Sequence, residues 1–169
     1  MEKNSSKTIE ITVISGEDLC VNRRQRVKKN AFVIVQTDSS RATKMDTDGG
    51  SYPVWNEKFV MELPMHARFI NVEVQCKAFS GGNNLIGTAR IPVSDFSGGY
   101  LPENYLSFLS YRLRDGNREK NGIINLSVKV IGQENTICAA SCSRPWTAMP
   151  VDNKVSGGVV TGIPVPYRY

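Results

Sequence analysis

An all-β, eight-stranded antiparallel sandwich is the fold this sequence predicts, and three observations predict it. Short runs of β-branched and aromatic residues recur at regular intervals. Apolar and polar residues alternate within most of them. Turns rich in Gly, Asn and Asp separate them, "SGGNN", "SGGY" and "DGNREKNG" being the clearest, and no long stretch has a helical period.

Taken in order, "TIEITVI" (8–14) sets Ile9, Ile11 and Val13 on one face and Thr8, Glu10 and Thr12 on the other. "AFVIVQT" (31–37) is continuously apolar, as a strand covered on both faces requires. "SRATKM" (40–45) is a weaker strand. "EKFVMEL" (57–63) turns Phe59, Met61 and Leu63 inward and Lys58, Val60 and Glu62 outward. "FINVEVQC" (69–76) aligns Ile70, Val72, Val74 and Cys76. "LIGTARIPV" (85–93) and "SYRLR" (110–114) follow, and "GIINLSVKVI" (122–131) closes the set through Ile124, Leu126, Val128 and Val130. Between the strands at 85–93 and 110–114, "PENYLSFL" (102–109) predicts one short helical turn. Beyond Gly132 the periodicity stops, and Pro, Gly, Ser and Thr predict a flexible tail. The expected organisation is a flexible N-terminus (1–6), one domain (7–132) and the tail (133–169).

If successive strands are antiparallel, the connections 20–29, 46–55 and 77–84 emerge at one end. The N-terminus and the tail then lie at the other end. The first of these connections holds the densest charge in the chain. "CVNRRQRVKKNA" (20–31) carries Arg23, Arg24, Arg26, Lys28 and Lys29 and no acid, so the net charge of +5 is a local property. Such charge points to an anionic partner.

Several function classes are excluded on composition. "MEKNSSKT" lacks the apolar region of a signal peptide, and nothing approaches the ~18 apolar residues of a membrane span. A cytoplasmic location is expected, where Cys20, Cys76, Cys138 and Cys142 form no disulfide framework. His66 is the only histidine and falls in a turn away from the basic loop. No nucleophile elbow, phosphate-binding glycine loop or HExxH is present, so neither enzyme chemistry nor a cofactor is expected. Zinc would need four ligands, and beyond "CAASC" (138–142) only one His and two distant Cys remain. Tail thiols beside apolar residues also suit S-acylation, although free thiols are the simpler reading. A nucleic-acid role fits poorly, because single-strand binding interleaves aromatics with charge and only Phe32 is near.

Three pieces of sequence together resemble a C2 domain. They are "ITVISGEDL" with "NAFVIV" after a loop, "SYPVWNEKF", and "VEVQCKAFSGGNNLIG", in the family's order and spacing over residues 7–131. One strand before the first loop and one closing strand resemble the type II, circularly permuted topology. Within the family, the chain is similar to small plant C2 proteins of the BONZAI-associated type. That resemblance implies phospholipid binding at the plasma membrane, association with copine-family proteins, and restraint of cell death and defence responses.

The resemblance also implies where calcium would bind in relatives. The two first-loop positions fall on Arg24 and Asn30, and the three third-loop positions on Cys76, Ala78 and Asn84. None is a carboxylate, whereas calcium takes six to eight oxygens, mostly carboxylate. Asp46 and Asp48 lie in the second loop, but two acids do not replace five. No tight calcium site is expected.

C2 domains point this loop end at bilayers, so anionic lipid is the best reading of the basic run. A merely solvated loop is the competing one. Each Lys or Arg near an anionic leaflet contributes about 1 kcal/mol, so five give at most ~5 kcal/mol, a sub-millimolar dissociation constant. A second contact is required. The candidates are Val21, Val27 or Phe79 dipping into the interface, Arg41 and Lys44 on the sandwich face, the tail, or a partner already on the membrane. As a flexible coil the tail spans roughly 35 Å. Trp146, Tyr167 and Tyr169 are its candidate partner-binding residues, with Val165 beside them; an unbound end is an equal reading. The expected function is a calcium-independent phospholipid-binding adaptor, peripheral at the membrane. The alternative is a protein-interaction module whose basic loop meets an acidic protein surface. Oligomeric state is not legible.

Overall fold

Alternation decides which face each strand buries. In the computed structural model, which describes residues 6–22 and 25–132, Ile9, Ile11 and Val13 of β1 (Ser6–Glu17) are all buried while their neighbours are not. After β1 come a two-residue ladder, β2 (Cys20–Val21) and β3 (Gln25–Arg26), then β4 (Ala31–Gln36) and β5 (Ser40–Ala42). The remaining strands are β6 (Val54–Pro64), β7 (Phe69–Lys77), β8 (Asn83–Pro92), β9 (Leu106–Arg114) and β10 (Lys120–Ile131). Ile70, Val72, Val74 and Cys76 of β7 and Ile124, Leu126 and Val128 of β10 face the same core. Each such side chain contributes about 1.5–3 kcal/mol on burial.

Eight of these strands form one antiparallel sheet in the order β5-β4-β7-β8-β9-β10-β1-β6. Only one residue pair, Thr88 with Arg114, joins β8 to β9. The sheet therefore folds over there into two four-stranded layers, with the core between them. One long strand precedes the first loop, and β10 closes the domain against β1. Among the described residues no helix is long and apolar enough to cross a membrane.

One local expectation is corrected. Residues 102–109 form no helical turn: Tyr105 N–H donates to the Pro102 carbonyl at 3.2 Å, Asn104 turns the chain with φ 60°, and β9 begins at Leu106. "LSFLSYRL" alternates with period two, so a strand buries Ser107 and Leu113 where a helix would scatter them. A single helical turn instead occupies Val93–Asp95. Within the first connection, β2 and β3 pair.

Candidate functional site

The first loop is held by its apolar residues and leaves its charges outside. Leu19 is fully buried and Val27, in the midst of the basic run, is 3% exposed. Val27 N–H donates to the Leu19 carbonyl at 3.0 Å, and Leu19 N–H to the Ser51 carbonyl at 3.0 Å. Asn22 and Asn30 flank the run with φ of 51° and 60°, a left-handed geometry that Asn tolerates better than most residues. With Val27 turned in, Arg26, Lys28 and Lys29 stand exposed. Val27 is thus a core residue and is unable to enter a membrane, which corrects the expectation for it; Val21 is half-buried against the core.

The second loop is organised by a carboxylate. Asp46 accepts from the backbone N–H groups of Gly49 at 2.6 Å, Val54 at 2.7 Å and Asp48 at 2.8 Å. Burial pushes the Asp46 carboxyl up, but these three donors outweigh it and hold the group below its ordinary range. The "PVWNE" motif continues this scaffold. The Pro53 carbonyl accepts from Gly16 N–H at 2.9 Å, beside the bulge of β1 between Val13 and Ser15. Trp55 Nε1 donates to the Ala31 carbonyl at 3.0 Å, tying the two layers together. Asp46 therefore shapes a loop, and its oxygens are already engaged.

The third loop closes beside the first. Lys77 N–H donates to the Asn30 carbonyl at 3.1 Å, and Ala78 N–H to the Gly82 carbonyl at 2.8 Å. Phe79 stands 89% exposed at the tip, with the Lys29 ammonium 5.3 Å from its ring centroid. Between the loops lies a cavity of about 610 Å3. Arg26, Lys28, Lys29 and Lys77 line it, and none of its described lining residues is acidic.

Four of the five positions at which the resemblance places calcium ligands, Asn30, Cys76, Ala78 and Asn84, border this same cleft. Asn30 can offer one neutral side-chain oxygen and no charge, and burial pushes the Cys76 thiol above its ordinary value, away from the thiolate a metal would need. Among the described residues no three His, Cys, Asp or Glu side chains gather in a group able to hold a metal.

Of the predicted lipid-binding residues, the structure brings Arg26, Lys28 and Lys29 together. Arg41 and Lys44 are exposed but outside the cleft, on edge strand β5 and just after it, and the Glu57 carboxylate accepts from Lys44 N–H at 2.8 Å. Arg23, Arg24, Trp146, Tyr167 and Tyr169 lie outside the described residues, as do Cys138 and Cys142. Sequence reasoning misses Lys77, although a signal for it exists: it ends a clean alternating strand at the loop end.

Comparison with known proteins places these observations. A C2 domain family model matches residues 7–108. The chain is 43% identical over 149 residues to BON1-associated protein 2 of Arabidopsis thaliana, covering 86% of this chain and 72% of that protein. Among solved structures, a C2 domain of plant Extended Synaptotagmin 1 superposes with a TM-score of 0.60 at 13% identity, covering 74% of this chain and 94% of that one. A C2 domain-containing protein from a putative elicitor-responsive gene superposes with a TM-score of 0.61 at 17% identity, covering 82% and 100%. At such identities these two likenesses are of fold.

Proposed function

The chain belongs to the C2 domain family, and from that premise we propose that it is a calcium-independent adaptor whose basic cleft holds an anionic phospholipid surface. The observation that carries this reading is the cleft itself: four cations and no acid among its described lining residues, at the loop end where relatives would carry carboxylates. Fixed positive charge then does what a bound cation would do, without a calcium switch. Arg23 and Arg24, read from the sequence, add to it.

The relative from Arabidopsis is named for association with BON1. We take this chain to have a membrane-bound partner of the same, copine-like kind, and to restrain cell death and defence responses with it. Weak lipid contact favours an adaptor, since a partner on the same surface multiplies a marginal affinity through effective concentration. Its expected location is cytoplasmic and peripheral at the plasma membrane. A binding module, rather than an enzyme, fits a site made of cations and one exposed aromatic ring.

Vesicle sedimentation tests the proposal. Binding should require anionic lipid, survive a calcium chelator, and disappear in half-molar salt, because exposed charges are screened beyond about 8 Å even at physiological ionic strength. Changing Arg23, Arg24, Arg26, Lys28 and Lys29 to Glu should abolish it. A clear chelator effect would overturn calcium independence. Retained partner binding by a wild-type chain that ignores vesicles would favour the protein-interaction module.

A further inference from the structure

Beside the first loop lies a second depression of about 230 Å3, which shares no described lining residue with the cleft. One wall is the root of the first loop, Asp18 and Cys20; the other is the start of the last hairpin, Arg112 and Lys120. The two walls are forced together by close packing. A Cβ on Gly122 would stand 2.4 Å from the Glu17 carbonyl oxygen, so only glycine lets the loop root lie on β10. Asn121 then locks it: its amide oxygen accepts from Cys20 N–H at 3.2 Å, and its amide nitrogen donates to the Cys20 carbonyl at 2.7 Å and the Ile86 carbonyl at 2.8 Å.

The charges around this depression are set for an external anion. Neither Arg112 nor Lys120 forms an ion pair with another described residue. Lys120 stands opposite Arg114 in the β9–β10 register, and the Arg114 guanidinium donates to the Arg118 carbonyl at 3.1 Å within the turn. The one acid among its described lining residues, Asp18, lies 4.0 Å from Arg26, which itself lines the cleft. A guanidinium fork and an ammonium point charge flanking a small concavity suit a phosphate oxygen cluster. Strand parity also puts the β9–β10 turn at the same end as the first loop, so both depressions can meet one surface.

We infer that the Arg112–Lys120 depression binds the phosphate of a second anionic lipid headgroup, so that the first loop sits between two phosphate contacts on one leaflet. This rests on the membrane reading above and supplies the second contact that a single basic loop lacks. It also gives the docked domain an orientation, tilted toward the β9–β10 edge.

The test uses the full chain and phosphatidylcholine vesicles with and without phosphatidylserine. Arg112→Ala with Lys120→Ala should weaken binding roughly 10- to 30-fold, the loss of two interfacial cations. Arg112→Lys with Lys120→Arg should restore most of it. Removing two cations at the opposite end, Lys7→Ala with Arg68→Ala, should shift binding less than about 3-fold, the net-charge effect alone. Equal losses in the two double-alanine variants, or none in Arg112→Ala with Lys120→Ala, would overturn the site while leaving the membrane reading intact. A wild-type chain that binds no anionic vesicle would instead overturn the membrane reading, and this inference with it. Inorganic phosphate titrated without vesicles, read by NMR at the Arg112 and Lys120 backbone signals, separates the two phosphate sources. Saturation below millimolar phosphate would mark a free-phosphate site and overturn the lipid assignment; weak, unsaturated shifts are expected.

Discussion

The first and second loops lie side by side at one end of the sandwich and use charge in opposite ways. In the second, Asp46 turns inward and its oxygens accept three backbone N–H groups. In the first, Leu19 and Val27 turn inward, and Arg26, Lys28 and Lys29 are left to solvent. The same loop end thus contains a charge that builds architecture and charges whose internal contacts are loose and exposed, Arg26 to Asp18 at 4.0 Å and Lys29 to the Phe79 ring at 5.3 Å. Charge with so little internal work to do is available to a partner, and the proposed function therefore puts the contact on the basic loop, not the acidic one.

The comparison breaks most visibly at Leu19. Leu19→Ala removes a fully buried anchor and should lower stability by about 3 kcal/mol. A shift in the urea midpoint measures it; a near-neutral result would mean that the first loop is not held by its apolar residues. Next in size is Asp46→Ala, which strands three backbone donors and should cost about 1–2 kcal/mol, the lower part of the range because the site is partly open to water. Its pH signature has a definite sign. A carboxyl held below its ordinary value of 3.8 stabilises the fold fully above that pH, and the contribution is lost as pH falls through the lower folded-state value. Wild type and Asp46→Asn should therefore differ at neutral pH and converge in strong acid. The smallest stability effect belongs to Arg26→Ala, Lys28→Ala and Lys29→Ala combined, within about 0.5 kcal/mol of wild type. The same triple variant should bind anionic vesicles roughly 100-fold more weakly, at about 1 kcal/mol per cation. A triple variant that unfolded would show the basic run to be structural after all.

Much of the fold was legible because a strand announces its buried face with period two. Ile9, Ile11 and Val13 needed no tertiary information, nor did Phe59, Met61 and Leu63. Val27 did need it: a single apolar residue among cations has no period, and only the contacts of Leu19 and Ser51 reveal that it is core. The helical turn expected near Pro102 failed for a related reason, since a turn residue ahead of a short strand resembles a helix start until Asn104 ends it.

By itself, the sequence determined that eight short strands build the domain, the inward faces of β1, β6, β7 and β10, the concentration of positive charge between β1 and β4, and the lack of carboxylates at the resembled ligand positions. All of these are local, read from neighbours in the chain. Tertiary structure alone decided that Lys77 joins Arg26, Lys28 and Lys29 around one cleft, and that Arg112 and Lys120 come to rest beside Cys20. Those meetings depend on loop geometry, on a glycine where two backbones touch, and on an amide that bonds across 101 positions of sequence. No periodicity records such contacts, because they are made by the packing of distant segments and not by the pattern within any one of them.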